Sequence, residues 1–328
     1  MRVMKSGLTL IEVLVVITVI GLLVAIAIPA VQSARENSRR TFCQNNLRQV
    51  ALAIQSHESS NGILPPLYYG SFLKQPRNAL DEFHFHSWQT AILPQLEESK
   101  LHEQIDLSLP ATDPLNQANL NSTIATFLCP SSPNQNSKVP EILAWNDGSP
   151  PVSNAGTAAR SDFEAVVGVD FPPIPKRQYS SDLRGIRFGV WGEPRYDVKT
   201  GSSIGYRVAR LRDVSDGLSK TMIVGERAGR PDWYRRGKSV DPYPYSNPGQ
   251  GMDHHQAAWG ISTHIWWMIF GHDQSINDTN ASGIYSFHGS GANIALADGS
   301  VRFLSEQIDS ETLQALATRS SGDIVESE

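Results

Sequence analysis

A histidine and an aspartate near the C-terminus are spaced so that they could act together. His288 is followed ten positions later by Asp298, and Gly299 comes directly after it. An imidazole and a carboxylate can bind a metal ion or exchange protons, but this pair has neither a third ligand nor a nucleophile beside it. Three roles stay open: a buried hydrogen bond that fixes the loop, metal binding, and catalysis. The residues favour the hydrogen bond.

The other histidines lie in clusters without the spacing of a metal motif. Neither a His-x3-His nor a CxxC arrangement is present, and Gly289-Ser290-Gly291 is not a nucleophile elbow. We therefore predict that the chain is not an enzyme and holds no metal or other cofactor. Calcium bound by Asp298, Asp309 or the acidic C-terminal end is the one alternative, although no calcium-loop spacing is seen. The clustered residues are His84, His86, His254, His255, His264 and His272, with Asp253, Asp273 and Asp278.

The N-terminus supplies a membrane segment. Residues 8–28 are apolar apart from Thr9, Glu12, Thr18 and Gly21. As a helix they would be about 30 Å long, the thickness of the hydrocarbon layer. A secretory signal peptide is the alternative, but its apolar core is shorter and ends in a small-residue cleavage site. Basic residues flank both ends of the segment, so charge leaves its orientation open.

The helix is predicted to continue beyond the membrane to about Ser59. Pro29 predicts a bend, and Asn61-Gly62 predicts the end of the helix. At 100° per residue, the second half has an apolar side that a sheet could cover. That side carries Phe42, Cys43, Asn46, Leu47, Val50, Ala53, Ile54 and His57.

The body, residues 61–328, reads as an α+β domain with an antiparallel sheet and long loops. Asp298-Gly299 predicts a two-residue hairpin turn that pairs Leu296 with Val301 and Ile294 with Phe303. Asp213 and Asp216-Gly217 predict a further hairpin between two strands. A short helix closes the chain at 310–318. Strands are predicted at 164–169, 206–211, 221–226, 261–270 and in the terminal hairpin.

The N-terminal residues resemble the processing site of type IV prepilins and type II secretion pseudopilins. Lys5-Ser6-Gly7 precedes Leu8-Thr9-Leu10-Ile11-Glu12-Val13, with Pro29 at the family's spacing. The resemblance implies a leader at 1–7 that a prepilin peptidase removes between Gly7 and Leu8 on the cytoplasmic side. It also implies N-methylation of Leu8, which stands where the family usually has Phe.

The resemblance also gives Glu12 a role. A carboxylate in hydrocarbon costs about 2.5 to 3.5 kcal/mol and needs a partner. In pilin-like filaments the implied partner is the freed amine of Leu8, on the same or a neighbouring subunit, and the pair sets the axial register. A glutamate snorkelling at the membrane edge is the alternative.

Later landmarks resemble a large, uncharacterised pseudopilin-like family of planctomycete-type bacteria, with a prepilin N-terminus and a C-terminal His-x9-Asp-Gly motif. Here that motif is His288, Asp298 and Gly299. The resemblance places Cys129 at a repeated landmark, and Cys43 lies on the covered side of the helix. This implies a disulfide between helix and body, with two separately buried thiols as the alternative.

Three functional hypotheses follow. The first is a pilin- or pseudopilin-like subunit, whose implied partners are the prepilin peptidase, other pilin subunits and an inner-membrane assembly platform. It would be a single-pass inner-membrane protein with a periplasmic or extracellular body. The second is a membrane-anchored binding protein that presents Trp259, Trp266 and Trp267 to a ligand such as a glycan. The third is a surface enzyme. The net charge of −5 gives no indication of nucleic acid as a partner.

Overall fold

The computed structural model describes residues 9–69, 85–109, 111, 113–133, 138–139, 157–170, 186–196, 203–240, 257–262, 268–270, 275–280 and 283–319. These residues form the predicted α+β arrangement of a long N-terminal helix and a separate, mainly antiparallel sheet domain. The helices are α1 Leu10–Asn61, α2 Trp88–Ala91, α3 Ser99–Gln104, α4 Pro114–Leu120 and α5 Ser310–Ala317.

The long helix α1 has well-defined caps at both ends. At its start the Thr9 hydroxyl accepts a hydrogen bond from the Glu12 amide, and the helix then runs through Pro29 without interruption. At its end Gly62 adopts the left-handed conformation with φ of 72°, and its amide donates to the Glu58 carbonyl. Glycine is favoured there because it has no Cβ to clash. The predicted end at Asn61-Gly62 is confirmed.

The two halves of α1 have different surroundings. Large apolar side chains at residues 10–31 are exposed, whereas the second half has one buried side. Phe42 was predicted on the covered side, but it is 60% exposed. It lies about 100° around the helix from Cys43, at the edge of the buried stripe. The buried residues of α1 are Cys43, Leu47, Val50, Ala51, Ala53 and Ile54.

The main sheet packs against this buried side. Its strands are β5 Phe163–Asp170, β6 Ile186–Phe188, β9 Met222–Glu226, β13 Met268–Phe270, β14 Gly291–Leu296 and β15 Val301–Ser305. The strand order is β13-β5-β9-β14-β15, and β6 also pairs with β5. All pairs are antiparallel except that of β13 with β5.

Strand β14 is buried on both faces. Ala295 belongs to the core that includes α1, whereas its neighbours Ile294 and Leu296 belong to a second core that includes Leu313 and Leu316 of α5. Successive side chains of a strand point to opposite faces, so one strand can serve both cores. The sheet is therefore a middle layer between α1 and α5.

The terminal hairpin forms, but its register differs by one residue from the prediction. Leu296 was expected to pair with Val301, whereas Ala295 pairs with Val301 and Ile294 with Arg302. A shift of one residue moves side chains to the opposite face. The four large apolar groups therefore do not share a face as predicted.

The loop of this hairpin explains the shift. The Leu296 amide donates to the Ser300 carbonyl at 2.9 Å, so three residues form the loop instead of two. Gly299 has φ of 81°, the left-handed position that closes a three-residue hairpin loop. The Asp-Gly signal was correct for a hairpin but wrong for the loop length.

The predicted hairpin around Asp213 and Asp216-Gly217 is wrong. The strand before it, β8 Ser203–Val208, pairs with β7 Gly192–Tyr196, while β9 pairs with β5 and β14. Two 3-10 turns, Leu211–Asp213 and Leu218–Lys220, connect β8 to β9. The chain thus passes from one sheet to another at this point.

The remaining strands are short. The helix α4 and two of the short strands fall between residues 108 and 160. The predicted closing helix is confirmed as α5, and the predicted strand at 261–270 is described only at its two ends. The short strands are β1 Tyr68–Tyr69, β2 Phe85–Ser87, β3 Lys138–Val139, β4 Ala158–Ala159, β10 Tyr234–Arg235, β11 Lys238–Ser239 and β12 Ile261–Ser262.

Candidate functional site

Four chemically reactive side chains meet where α1 packs on the sheet. Cys43, Cys129, Glu226 and His288 are all buried, and one ligand atom from each lies within 4.8 Å of the other three. The Cys43 thiol donates to Glu226 Oε1 at 2.5 Å, and His288 Nε2 lies 3.3 Å from Cys129 Sγ and 3.4 Å from Glu226 Oε1. We call these four residues the buried cluster. Their sulfur, nitrogen and oxygen donors are of the kinds that bind transition metals.

Each residue of the buried cluster comes from a different part of the fold. Cys43 lies on the buried side of α1, and Glu226 is the last residue of β9. His288 precedes β14, and its amide donates to the Ser286 hydroxyl. The helix α1, the Cys129 loop and the strands β9 and β14 thus have to pack correctly before the four side chains can meet.

Cys129 is held in place by a polar contact from α1. Asn46, one turn beyond Cys43, donates its side-chain amide to the carbonyls of Ala125 and Leu128 at 3.2 and 2.9 Å. Side chains three residues apart lie on one side of a helix, so this contact brings the Cys129 loop to Cys43. From the other side, the Cys129 amide donates to the buried carboxylate of Asp162.

One further acid, Glu36, and one amide residue, Asn293, orient the ligand atoms. His288 Nδ1 lies 2.7 Å from Glu36 Oε1, and the Ser131 hydroxyl donates to the same carboxylate at 2.9 Å. Glu226 accepts hydrogen bonds from both the backbone and the side-chain amide of Asn293, at 2.5 and 2.9 Å. These contacts fix which atom of His288 and which atom of Glu226 face the cluster.

The charges of these groups are shifted by their surroundings. Burial alone would lower the pKa of His288, but hydrogen bonds to Cys129 and Glu226 and the negative charge of Glu226 raise it to about 11. Burial raises the pKa of the Cys43 thiol, and Cys129 and Glu226 raise it further. Burial opposes ionisation of Glu36, yet its bonds to His288, Arg39 and Ser131 prevail and lower its pKa. His288 thus lies between two carboxylates, with Nδ1 2.7 Å from Glu36 Oε1 and Nε2 3.4 Å from Glu226 Oε1.

The predicted partner of His288 is replaced by others. Asp298 lies in the hairpin turn, where its carboxylate accepts from the amide and hydroxyl of Ser300 at 2.9 and 2.6 Å. Asp309 caps α5 by accepting from the Thr312 amide. The structure therefore shows His288 at the buried cluster and Asp298 in a local turn, so the two residues of the motif have separate roles.

The two cysteines are brought together, as the resemblance implied, but they are not joined by a disulfide. The two sulfur atoms could form a disulfide, carry protons or bind a metal. Disulfide formation therefore stays a prediction. Sequence patterns did not predict that His288 lies beside the two cysteines. They also missed Glu226 and Glu36, since neither belongs to a motif whose spacing identifies a ligand.

The N-terminal residues form a second candidate site. The Glu12 carboxylate accepts from the Thr9 amide at 2.7 Å and from the Thr9 hydroxyl at 2.9 Å. With the reciprocal bond from the Glu12 amide, this is a capping box. Gly7 and Leu8, the predicted processing residues, lie outside the described residues. Glu12 can therefore cap its own helix before any second subunit is present.

The first half of α1 is the candidate assembly surface. In the described residues, α1 is the one helix long and apolar enough to cross a membrane. The most apolar stretch of this helix is not buried against other parts of the structure. Leu10 is 83% exposed and Ile26 64% exposed. This surface matches lipid or another apolar helix.

Of the remaining predicted residues, Trp259 and His86 are described by the structure and fall outside the two sites. Trp259 is fully buried, and its indole N–H donates to the Ser122 carbonyl at 2.9 Å, so it cannot be presented to a ligand. His86 is also buried, and Nε2 lies 3.0 Å from the Leu109 carbonyl oxygen. The other predicted histidines, His84, His254, His255, His264 and His272, lie outside the described residues, as do Asp253, Asp273, Trp266 and Trp267.

Comparison with known proteins gives two family matches. Residues 32–311 match the model of a family described as "Protein of unknown function (DUF1559)". Residues 2–28 match the prokaryotic N-terminal methylation motif. The first match contains the buried cluster, and the second contains Gly7, Leu8 and Glu12.

A curated relative matches part of the chain. The chain is 30% identical over 74 residues to type II secretion system core protein G of Pseudomonas aeruginosa. The matched segment covers 22% of this chain and 52% of that protein, so the chain spans about half the length of the relative. No solved structure matches.

Proposed function

Because the chain belongs to the DUF1559 family and begins with a prokaryotic N-terminal methylation motif, we propose that it is a pilin- or pseudopilin-like structural subunit. It is anchored in the membrane by the first half of α1 and assembles with other pilin or pseudopilin subunits through that helix. The similarity to type II secretion system core protein G supports a type II secretion or type IV pilus-like system as the setting.

The division of α1 into two halves carries this proposal. A helix that is apolar all round and uncovered at residues 10–31 requires lipid or other helices around it. The same helix enters the core of the body through Leu47, Val50 and Ile54. One continuous element therefore connects the folded body to the membrane, and to neighbouring subunits if the helices bundle.

The proposal includes processing and location. A prepilin peptidase would cut between Gly7 and Leu8 and expose the amine of Leu8, which would then be methylated. An inner-membrane assembly platform would add the mature subunit to a filament. The body would lie on the periplasmic or extracellular side of the inner membrane. The methylation motif at residues 2–28 supports these steps.

Glu12 is the residue that would control assembly. In the single chain its carboxylate is occupied by Thr9, which satisfies the start of the helix. In a filament the freed amine of Leu8 would give this carboxylate an opposite charge inside hydrocarbon, where an unpaired charge costs about 2.5 to 3.5 kcal/mol. Capping and charge pairing are separable, because only the second requires a negative charge.

Two substitutions at Glu12 separate these roles. Glutamine can form a capping box but has no charge, whereas alanine has neither property. We expect Glu12→Gln and Glu12→Ala both to reduce the assembled fraction, roughly a hundredfold for a loss of about 3 kcal/mol. The measurement is the amount of protein in sheared or pelleted filaments, with intact mass to confirm a mature N-terminus at Leu8.

Thr18→Val is the matched control, because the Thr18 hydroxyl only donates to the Leu14 carbonyl within the same apolar segment. It should leave assembly unchanged. Normal assembly of Glu12→Gln with failure of Glu12→Ala would reduce Glu12 to a helix cap. An uncut N-terminus would contradict the processing step and favour a simple membrane-anchored binding protein, a function for which buried Trp259 offers no ligand surface.

A further inference from the structure

We propose that the buried cluster, Cys43, Cys129, Glu226 and His288, is a structural zinc site that fastens the membrane helix to the body. The four ligand atoms come from two thiols, one imidazole and one carboxylate. Zinc in structural sites takes four such ligands in a tetrahedron. Soft sulfur and nitrogen ligands select zinc over calcium or magnesium, which prefer oxygen alone.

The spacing of the ligand atoms fits a tetrahedral ion with small adjustments. Metal–ligand distances of about 2.0 to 2.3 Å place neighbouring ligand atoms roughly 3.3 to 3.8 Å apart. His288 Nε2 already lies 3.3 Å from Cys129 Sγ and 3.4 Å from Glu226 Oε1. Cys43 Sγ, 2.5 Å from Glu226 Oε1, would have to move away by about 1 Å. A small rotation of the Cys43 side chain about its Cα–Cβ bond can supply that movement.

A second layer of contacts has the form expected around a metal-binding histidine. Such histidines donate their other ring N–H to a carboxylate, which fixes the tautomer. Glu36 stands in that position, 2.7 Å from His288 Nδ1, and is itself bound by Ser131 and Arg39. Nδ1–H then donates to Glu36, and Nε2 offers its lone pair to the ion.

The carboxylate ligand is fixed in the same way. Asn293 donates two hydrogen bonds to Glu226, and Gln44 donates to the Asn293 side-chain oxygen at 3.0 Å. Gln44 follows Cys43 on α1, so the helix contributes to both layers. On binding, Zn²⁺ would displace the two thiol protons and the Nε2 proton to solvent, and no redox step is needed.

Such a site would cross-link the helix to the body. Its ligands come from α1, the Cys129 loop, β9 and the segment before β14, so one ion would connect the helix to three parts of the body. All four ligands are buried and belong to the protein, which leaves no open position for a substrate. The site would therefore stabilise the subunit and would not catalyse a reaction.

The test uses the full chain purified in detergent, stripped with a chelator under reducing conditions, and titrated with Zn²⁺ alone or Co²⁺ alone. We expect about one Zn²⁺ per chain by elemental mass spectrometry. Co²⁺ should give a thiolate-to-cobalt charge-transfer band and tetrahedral visible bands. Cys43→Ser and Cys129→Ser should each weaken that band, and the double variant should lose it. Glu36→Gln should weaken metal binding about 10- to 100-fold, as expected for a residue that orients a ligand.

His57→Gln is the matched control, because His57 is a partly buried histidine of α1 whose ring Nδ1 lies 3.3 Å from the Ile63 carbonyl oxygen, outside the cluster. It should bind zinc like the unaltered chain. The number of zinc ions per wild-type chain is measured first. This measurement tests the proposal even if a variant fails to fold. Substoichiometric zinc in the wild type, or a cobalt complex without sulfur ligation, would overturn the proposal. So would a chain isolated two daltons lighter without reductant and unable to bind metal, which would establish the disulfide instead.

Discussion

His86 is a fully buried imidazole whose surroundings keep it neutral. Nε2–H donates to the Leu109 carbonyl at 3.0 Å. Burial lowers the pKa from 6.5 to about 4, although the Leu109 bond and nearby Asp106 act in the opposite direction and His102 adds to the lowering. The unfolded chain therefore binds more protons than the folded chain between these two pKa values. The stability that His86 contributes is complete above pH 6.5 and is lost as the pH falls towards 4.

We expect the unfolding free energy to fall by about 2 kcal/mol from pH 7 to pH 5 because of His86 alone. His86→Asn should remove that part of the pH dependence, even if it lowers stability at pH 7. Urea unfolding of the detergent-solubilised chain at both pH values measures the difference. His102→Gln, at a partly exposed histidine, should keep most of the slope. Equal slopes for the wild type and His86→Asn would contradict the prediction.

At the scale of elements, two turn glycines require the left-handed conformation for different structures. Gly62 ends α1 with φ of 72°, and Gly299 closes the terminal hairpin with φ of 81°. A Cβ at Gly62 would meet open space, whereas a Cβ at Gly299 would lie 2.9 Å from the Gln55 side-chain oxygen. Gln55 in turn donates to the Ala297 carbonyl in the same loop.

We expect Gly62→Ala to lower the unfolding free energy by about 1 kcal/mol through backbone strain. Gly299→Ala should cost more, about 2 kcal/mol, because it adds displacement of Gln55 and its hydrogen bond. Thermal or urea unfolding of the two variants measures the order. Gly299→Ala combined with Gln55→Ala should recover part of the difference. A larger effect at Gly62 would contradict the role of Gln55.

The same hairpin shows how far sequence patterns reach. Asp298-Gly299 identified the turn and the two strands, because local backbone chemistry determines where a chain reverses. The loop length was wrong by one residue, because the register also depends on packing β14 between two cores. Likewise the helical period predicted most of the buried side of α1, yet placed Phe42 inside, since periodicity cannot tell how wide the covering surface is.

At the scale of the whole molecule, the prepilin-like N-terminus could be predicted from the sequence because its residues are contiguous. The buried cluster was not, because Cys43, Cys129, Glu226 and His288 are separated by long stretches of chain. Cys43 and Glu226, for example, are 183 positions apart. Their meeting depends on helix and sheet packing, which no local motif encodes.

The helix α1 changes from an uncovered segment to a part of the body between residues 31 and 43. Glu36 contacts the body through Ser131 and His288. Residues 43–54 then fill the core with Leu47, Val50 and Ile54 among them. Each fully buried side chain of this size contributes about 1.5 to 3 kcal/mol. Their sum is comparable to the total stability of a domain, about 5 to 15 kcal/mol.

We therefore expect a chain of residues 32–328 to fold as a body without the membrane segment, and a chain of residues 62–328 to fail. Cooperative thermal unfolding followed by circular dichroism, with limited proteolysis, distinguishes the two.

Within 32–328, Leu47→Ala should lower the unfolding free energy by about 2 to 5 kcal/mol, because it leaves a cavity in the core. Phe42→Ala, at an exposed position of the same helix, should change it by less than about 0.5 kcal/mol. A cooperative transition in 62–328 would show that the second half of α1 is a linker to the membrane and not a part of the core.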